Sequence, residues 1–131
     1  MSVFIDTSAL MAVLDADDGY HKKAKDIWVS LISEEETIIS SNYVLVETFA
    51  LVQNRLGLKA VRTLQEDILP MITVDWVDEA SHKAGVTGVL TALRKKLSLV
   101  DCTSFAIMRK LGIKKVFAYD PHFKEQGFVP V

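Results

Sequence analysis

Five short apolar runs punctuate the chain at wide intervals: VFI at 3–5, TIIS at 37–40, ITV at 72–74, KVFAY at 115–119 and FVP at 128–130. They are apolar on consecutive rather than alternate positions, the pattern of strands buried on both faces. Between them lie longer stretches with helical spacing or good helix formers, at 8–15, 20–35, 42–56, 58–70, 77–97 and 100–111. Strands alternating with helices predict an α/β domain whose mostly parallel sheet is covered on both faces. Ser41 or Asn42 can cap the third helix and Gly57 can end it, while Gly112 follows Arg109 and Lys110 at the close of the last. Gly85 and Gly88 interrupt the 77–97 stretch, where a bend or break is expected.

The 131 residues suit one domain, 1–131, able to bury roughly two-thirds of its unfolded surface. Half are hydrophobic and 24% charged, with no internal repeat or Pro/Gly/Ser linker, so the composition is that of an ordinary globular protein. The longest apolar run, ALMAVL, falls far short of the ~18 residues that cross a bilayer, and the first residues lack the basic stretch and apolar core of a secretion signal. A cytoplasmic protein with no membrane partner is expected. The single cysteine, Cys102, can form neither an internal disulfide nor a Cys-rich zinc site, and its apolar setting suits core packing.

Two of the apolar runs lead into a carboxylate, VFI into Asp6 and KVFAY into Asp120. Open parallel sheets bind ligands beyond the carboxyl ends of their strands, where the strand order reverses. Neighbouring strands lie ~4.8 Å apart, so if these two pair, their carboxylates repel and need a cation. Either aspartate alone also reads as a turn former or helix cap, Asp6 for the helix near Ser8. Glu47 is the only charged residue in YVLVETFALVQN (43–54), a helix apolar around nearly its whole circumference and therefore expected to be buried. A carboxylate there must be neutralised, paired with a base such as Arg55, or used as a metal ligand. Asp101 opens another apolar helix in LSLVDCTSFAIMRKLG, where SLVD also reads as a capping box between Ser98 and Asp101. Ser104 lies three residues on, on the same helical face, placed to bond a ligand or a bound water.

Hard oxygen ligands in this number suit Mg²⁺ or Mn²⁺, which use a few carboxylates, retain waters and accept phosphate. His21, His82 and His122 show no paired spacing with one another or with Cys102, which argues against zinc. His122 can reach the edge of the acidic site, although a surface or core-rim position is the plainer reading.

Together, VFIDTSAL, NYVLVETFALV, LSLVDCTSFAIMRKLGI and VFAYDPHFKEQGF resemble the PIN domain family, and within it the VapC-like toxins of prokaryotic toxin-antitoxin pairs. The resemblance spans essentially the whole chain. It implies an α/β/α sandwich with a five-stranded parallel sheet, a homodimer, and Mg²⁺- or Mn²⁺-dependent endoribonuclease cleavage of single-stranded or looped RNA. The family's four acidic positions fall on Asp6, Glu47, Asp101 and Asp120. Its supporting hydroxyls fall on Thr7 or Ser8 and on Thr103 or Ser104. Asp6 and Asp120 are expected as direct ligands, with Glu47 and Asp101 binding the ion or orienting its waters. A small antitoxin is implied as well, its C-terminal segment lying in an apolar groove near 8–15 and 42–56, residues that equally serve as core or homodimer contact.

The formal charge of −2 argues against an RNA substrate only at first sight. Setting those four ligands aside leaves 13 of 17 acids against 15 Lys and Arg, a balance of +2. HKKAK (21–25), RKK (94–96) and KK (114–115) either contact phosphates or are solvated faces. Three rivals are weaker. A phospho-acceptor domain, with Asp75 as acceptor, needs paired acids after the first strand, where Thr7 and Ser8 follow Asp6. A haloacid-dehalogenase-like phosphatase needs an aspartate where Ser8 stands. A non-catalytic RNA- or protein-binding domain has no use for the intact acid set.

Overall fold

The computed structural model describes residues 1–92 and 96–131. Strand β1 (Ser2–Ile5) lies at the centre of the sheet, and its Val3, Phe4 and Ile5 are at most 1% exposed. β2 (Thr37–Ser41) and β4 (Lys115–Phe117) flank it, with β3 (Ile72–Asp75) outside β2 and β5 (Val129–Pro130) outside β4. Every pairing is parallel, and Phe4 stands opposite both Ile39 and Val116. The chain thus builds outward from β1 in one direction and then in the other. The boundary between β1 and β4 is the switch point at which such sheets bind ligands.

The helices are α1 (Thr7–Leu14), α2 (His21–Ser33), α3 (Asn42–Leu56), α4 (Leu58–Thr63), α5 (Glu79–Ala92), α6 (Leu99–Leu111) and α7 (His122–Glu125). Ser41 caps α3 by accepting from the Val44 N–H at 3.2 Å. Asn42 instead accepts from the Val77 N–H at 2.7 Å, tying the start of α3 to the segment after β3. Gly57 and Gly112 end their helices at φ 90° and 69°, backbone angles that glycine adopts without strain.

Several elements differ from expectation. The helix expected over 58–70 is regular only to Thr63; it then widens to a π turn at Leu64–Ile68 and tightens to a 3₁₀ turn at Leu69–Met71, where Pro70 supplies no N–H. α5 runs unbroken through Gly85 and Gly88. These glycines serve contact rather than bending: a Cβ at Gly85 would stand 2.3 Å from Thr103 Oγ1, and one at Gly88 3.2 Å from the Cys102 Cβ. The rest of that expected helix reaches Leu93, Arg94 and Lys95, which lie outside the described residues, as do two members of the RKK cluster. α3 is not buried all round, since Val46 is 69% exposed while Val44 and Val52 are inaccessible. The four-residue α7 was not anticipated, being too short to show a helical period. Among the described residues no helix is long and apolar enough to cross a membrane.

Phe123 of α7 is fully buried, its ring centroid 5.0 Å from Phe105 of α6 and 6.5 Å from Phe4 of β1. This aromatic cluster pins the segment after β4 to the core. Asp120 and His122 are thereby held over the switch point.

Candidate active site

Asp6 follows β1 directly, and its N–H donates to the Phe117 carbonyl oxygen at 3.1 Å, carrying the ladder with β4 one residue past β1. Its backbone is extended (φ −103°, ψ 165°) and its Oδ2 accepts from the Ser8 N–H at 3.4 Å, so it caps α1. The Ser8 hydroxyl donates to the same oxygen at 3.0 Å and accepts from the Tyr119 N–H at 3.0 Å. Thr7, buried, lies with its hydroxyl 3.0 Å from that of Thr48 on α3, and Thr48 donates to the Val44 carbonyl oxygen at 2.7 Å. That contact fixes α3, and with it Glu47, against the start of α1.

Asp101 sits in the first turn of α6. The capping box is formed: the Ser98 N–H donates to Asp101 Oδ2 and the Asp101 N–H to Ser98 Oγ, each at 3.1 Å. Capping and site membership coexist, since a carboxylate accepts several bonds. Asp120 Oδ1 accepts from the His122 N–H at 2.9 Å, and the His122 ring brings Nδ1 to 3.0 Å from the same oxygen, within ion-pair distance but outside hydrogen-bond geometry. Asp101, Asp120 and His122 each offer a ligand atom within 4.8 Å of the others.

Asp6, Glu47, Asp101 and Asp120 all line one open cleft of about 810 Å³, together with Thr7, Ser8, Arg55, Lys96 and His122. Burial, followed by the charge of Asp101, pushes the Asp6 carboxyl up to about 7. Burial also raises Asp101, with Asp120 adding to it against the lowering bonds from Ser98. Among the described residues no Lys or Arg forms an ion pair with any of the four acids. Arg55 therefore does not neutralise Glu47, which is half-buried rather than enclosed. Clustered carboxylates raised in this way fit a divalent cation, which would favour their ionised forms.

A PIN domain family model matches residues 3–129. The chain belongs to the PIN domain family. The 23S rRNA-specific endonuclease VapC20 of Mycobacterium tuberculosis is 34% identical over 130 residues, covering 98% of this chain and 97% of that protein. A crystal structure of M. tuberculosis VapC20, described as a sarcin-ricin loop cleaving toxin, aligns with a TM-score of 0.88 at 32% identity over 98% of each chain. FitAcB from Neisseria gonorrhoeae shares the fold, with a TM-score of 0.71 at 19% identity over 99% of this chain and 96% of that one. This PIN domain is a nuclease of the VapC-like group, a hydrolase acting on RNA.

The supporting hydroxyls divide. Thr7 and Ser8 lie at the cleft, whereas neither Thr103 nor Ser104 is among its lining residues. Ser104 donates to the Val100 carbonyl oxygen of its own helix at 2.8 Å, and Thr103 faces Gly85 of α5. The hydroxyl beside Asp101 in this PIN domain is that of Ser98. His122 is closer to the acids than a rim position implied; its place two residues after a strand-end aspartate was the available signal. Asp75 lies outside the cleft, on β3, 3.7 Å from Lys110 Nζ, and membership of the PIN domain family removes the phospho-acceptor reading. Cys102 is buried between α5 and α6, where burial pushes its thiol up, as inert packing requires.

Proposed function

We propose that this PIN domain is the toxin of a toxin-antitoxin pair, and that it uses Mg²⁺ or Mn²⁺ to hydrolyse a phosphodiester bond in an unpaired loop of large-subunit ribosomal RNA. One observation carries the reading: four carboxylates converge on a single cleft at the switch point of the sheet, and among the described residues no Lys or Arg pairs with any of them. Asp6, Asp101 and Asp120 would hold the ion, with His122 beside them and Glu47 half-exposed on α3. A bound divalent ion lowers the pKa of water and polarises phosphoryl oxygens. Glu47 would accept the proton of the attacking water, and Arg55 and Lys96, which line the same cleft, would draw the RNA backbone to it. Kinship with VapC20 along the whole chain supports the ribosomal loop as substrate, and such a substrate places the protein in the cytoplasm.

The reading includes a homodimer and a small antitoxin. Val46, Leu58 and Leu90, each about 70% exposed, offer apolar surface for such contacts.

The test is to sequence fragment ends after intact ribosomes are treated with the protein in Mg²⁺, in Mn²⁺ and in chelator, beside Asp6→Asn. Metal-dependent cuts in the large-subunit RNA, absent with Asp6→Asn, are expected. Equal cutting by the variant would overturn the catalytic assignment; cuts confined to other RNAs would overturn only the substrate.

A further inference from the structure

Tyr20 stands just before α2 and stacks on Tyr119, with ring centroids 4.2 Å apart and planes 11° from parallel. Both rings line the cleft that holds the four acids. Tyr119 occupies one face of Tyr20, yet Tyr20 remains 53% exposed, so its outer face is open to the cleft mouth. Core packing does not explain an aromatic ring presented this way.

The backbone that carries the ring is fixed. The Tyr20 N–H donates to Asp18 Oδ1 at 2.8 Å, the Asp17 N–H to Asp15 Oδ1 at 3.0 Å, and His21 Nδ1 to the Ala12 carbonyl oxygen at 2.8 Å. The turn between α1 and α2 is thereby fixed on both sides of Tyr20. On the other side of the stack, Tyr119 is bonded to Ser8, whose hydroxyl also holds Asp6. The stacked pair is in register with the acidic centre because one hydroxyl joins them.

We propose that the open face of Tyr20 is a stacking platform for an unpaired nucleobase beside the scissile phosphate. This rests on the reading of the cleft as a ribonuclease site. Unpaired bases in RNA are commonly held on aromatic faces, and such stacking tolerates sequence because every base has a π-face. A ring already stacked on a second ring and fixed by its backbone loses little freedom on binding. A splayed base on Tyr20 orients the adjoining phosphate toward the carboxylates, so Tyr20 selects flexible loops over duplex RNA.

The experiment uses a hairpin RNA carrying the sarcin-ricin loop, intact or with one loop base at a time removed. Affinities are measured in Mg²⁺ with Asp6→Asn protein so that the RNA survives, and steady-state cleavage with otherwise unaltered protein. Tyr20→Leu is expected to weaken binding roughly 5- to 100-fold, whereas Tyr20→Phe, which keeps the ring, stays within about 2-fold. The loss should appear in KM more than in kcat. One base deletion should weaken binding to Tyr20 protein by a similar factor and have little further effect on Tyr20→Leu. Tyr20→Leu binding within about 2-fold of the parent, a loss equally large in Tyr20→Phe, or base and Tyr20 losses that multiply at every position would each overturn the platform. If unaltered protein cleaves the hairpin while any of these holds, stacking alone fails; if it neither binds nor cuts any RNA, the nuclease reading fails with it.

Discussion

The Ser8 hydroxyl accepts a hydrogen bond from the Tyr119 N–H at 3.0 Å, across 111 positions of the chain. Since the same hydroxyl donates to Asp6, it sets the spacing between the residues that follow β1 and those that follow β4. Replacing Ser8 with Ala leaves the Tyr119 N–H without this acceptor and removes the hydroxyl donor to Asp6, which keeps only its backbone donor. Ser8→Ala should lose about 1–3 kcal/mol in chemical denaturation. Its kcat should fall by about 10-fold or more, because the carboxylates on the two strands are no longer held together. Unchanged kcat in a destabilised variant would confine Ser8 to a structural part.

Asp6 titrates near 7 when folded, against 3.8 ordinarily. Between these values the folded protein holds a proton that the unfolded chain has released, so this group costs stability increasingly as pH rises through the window. Above pH 7 the cost is on the order of 4 kcal/mol. Without metal, Asp6→Asn should therefore match the parent near pH 4 and melt at higher temperature by pH 8. Thermal melts in chelator across this range test it, and a constant difference would refute the assigned shift. Added Mn²⁺ should stabilise the parent more than the variant.

His122 reaches the acids through Asp120. His122→Ala should raise the Mn²⁺ concentration for half-maximal cleavage roughly 10- to 100-fold, with kcat largely recovered at saturating Mn²⁺. A kcat that stays low at saturation would instead give His122 a direct part in the chemistry.

Gly85 and Thr103 bring α5 against α6. Gly85→Ala gains helix propensity yet should destabilise by roughly 1–3 kcal/mol, because the methyl has no room. Thr103→Ala in the same protein should restore most of the loss. Denaturation of the single and double variants measures this coupling.

The sheet was legible because its buried strands are continuous apolar runs, and the two carboxylates at their ends stood out against them. Asp101 was harder, since a capping box and a ligand position draw on the same residue; the box is formed and the carboxylate also lines the cleft. Thr103 and Ser104 do not line the cleft. Spacing from Asp101 gives a helical face, but the hydroxyl of Ser104 is taken by its own backbone and that of Thr103 is turned to α5. The glycines of α5 suggested a bend or break because their function depends on a partner helix, and sequence spacing does not show that partner. Glu47 looked enclosed because Val46 is apolar, yet Val46 faces outward.

β1 lies between strands made early and strands made late, and this orders events during synthesis. β2 and β3 can join β1 while the chain is still growing, but β4 begins only at Lys115 and Asp120 follows it. No shorter product can assemble the four-acid cleft. Asp6, Glu47 and Asp101 are therefore all made before the last acid of the cleft, and that delay is written into the strand order.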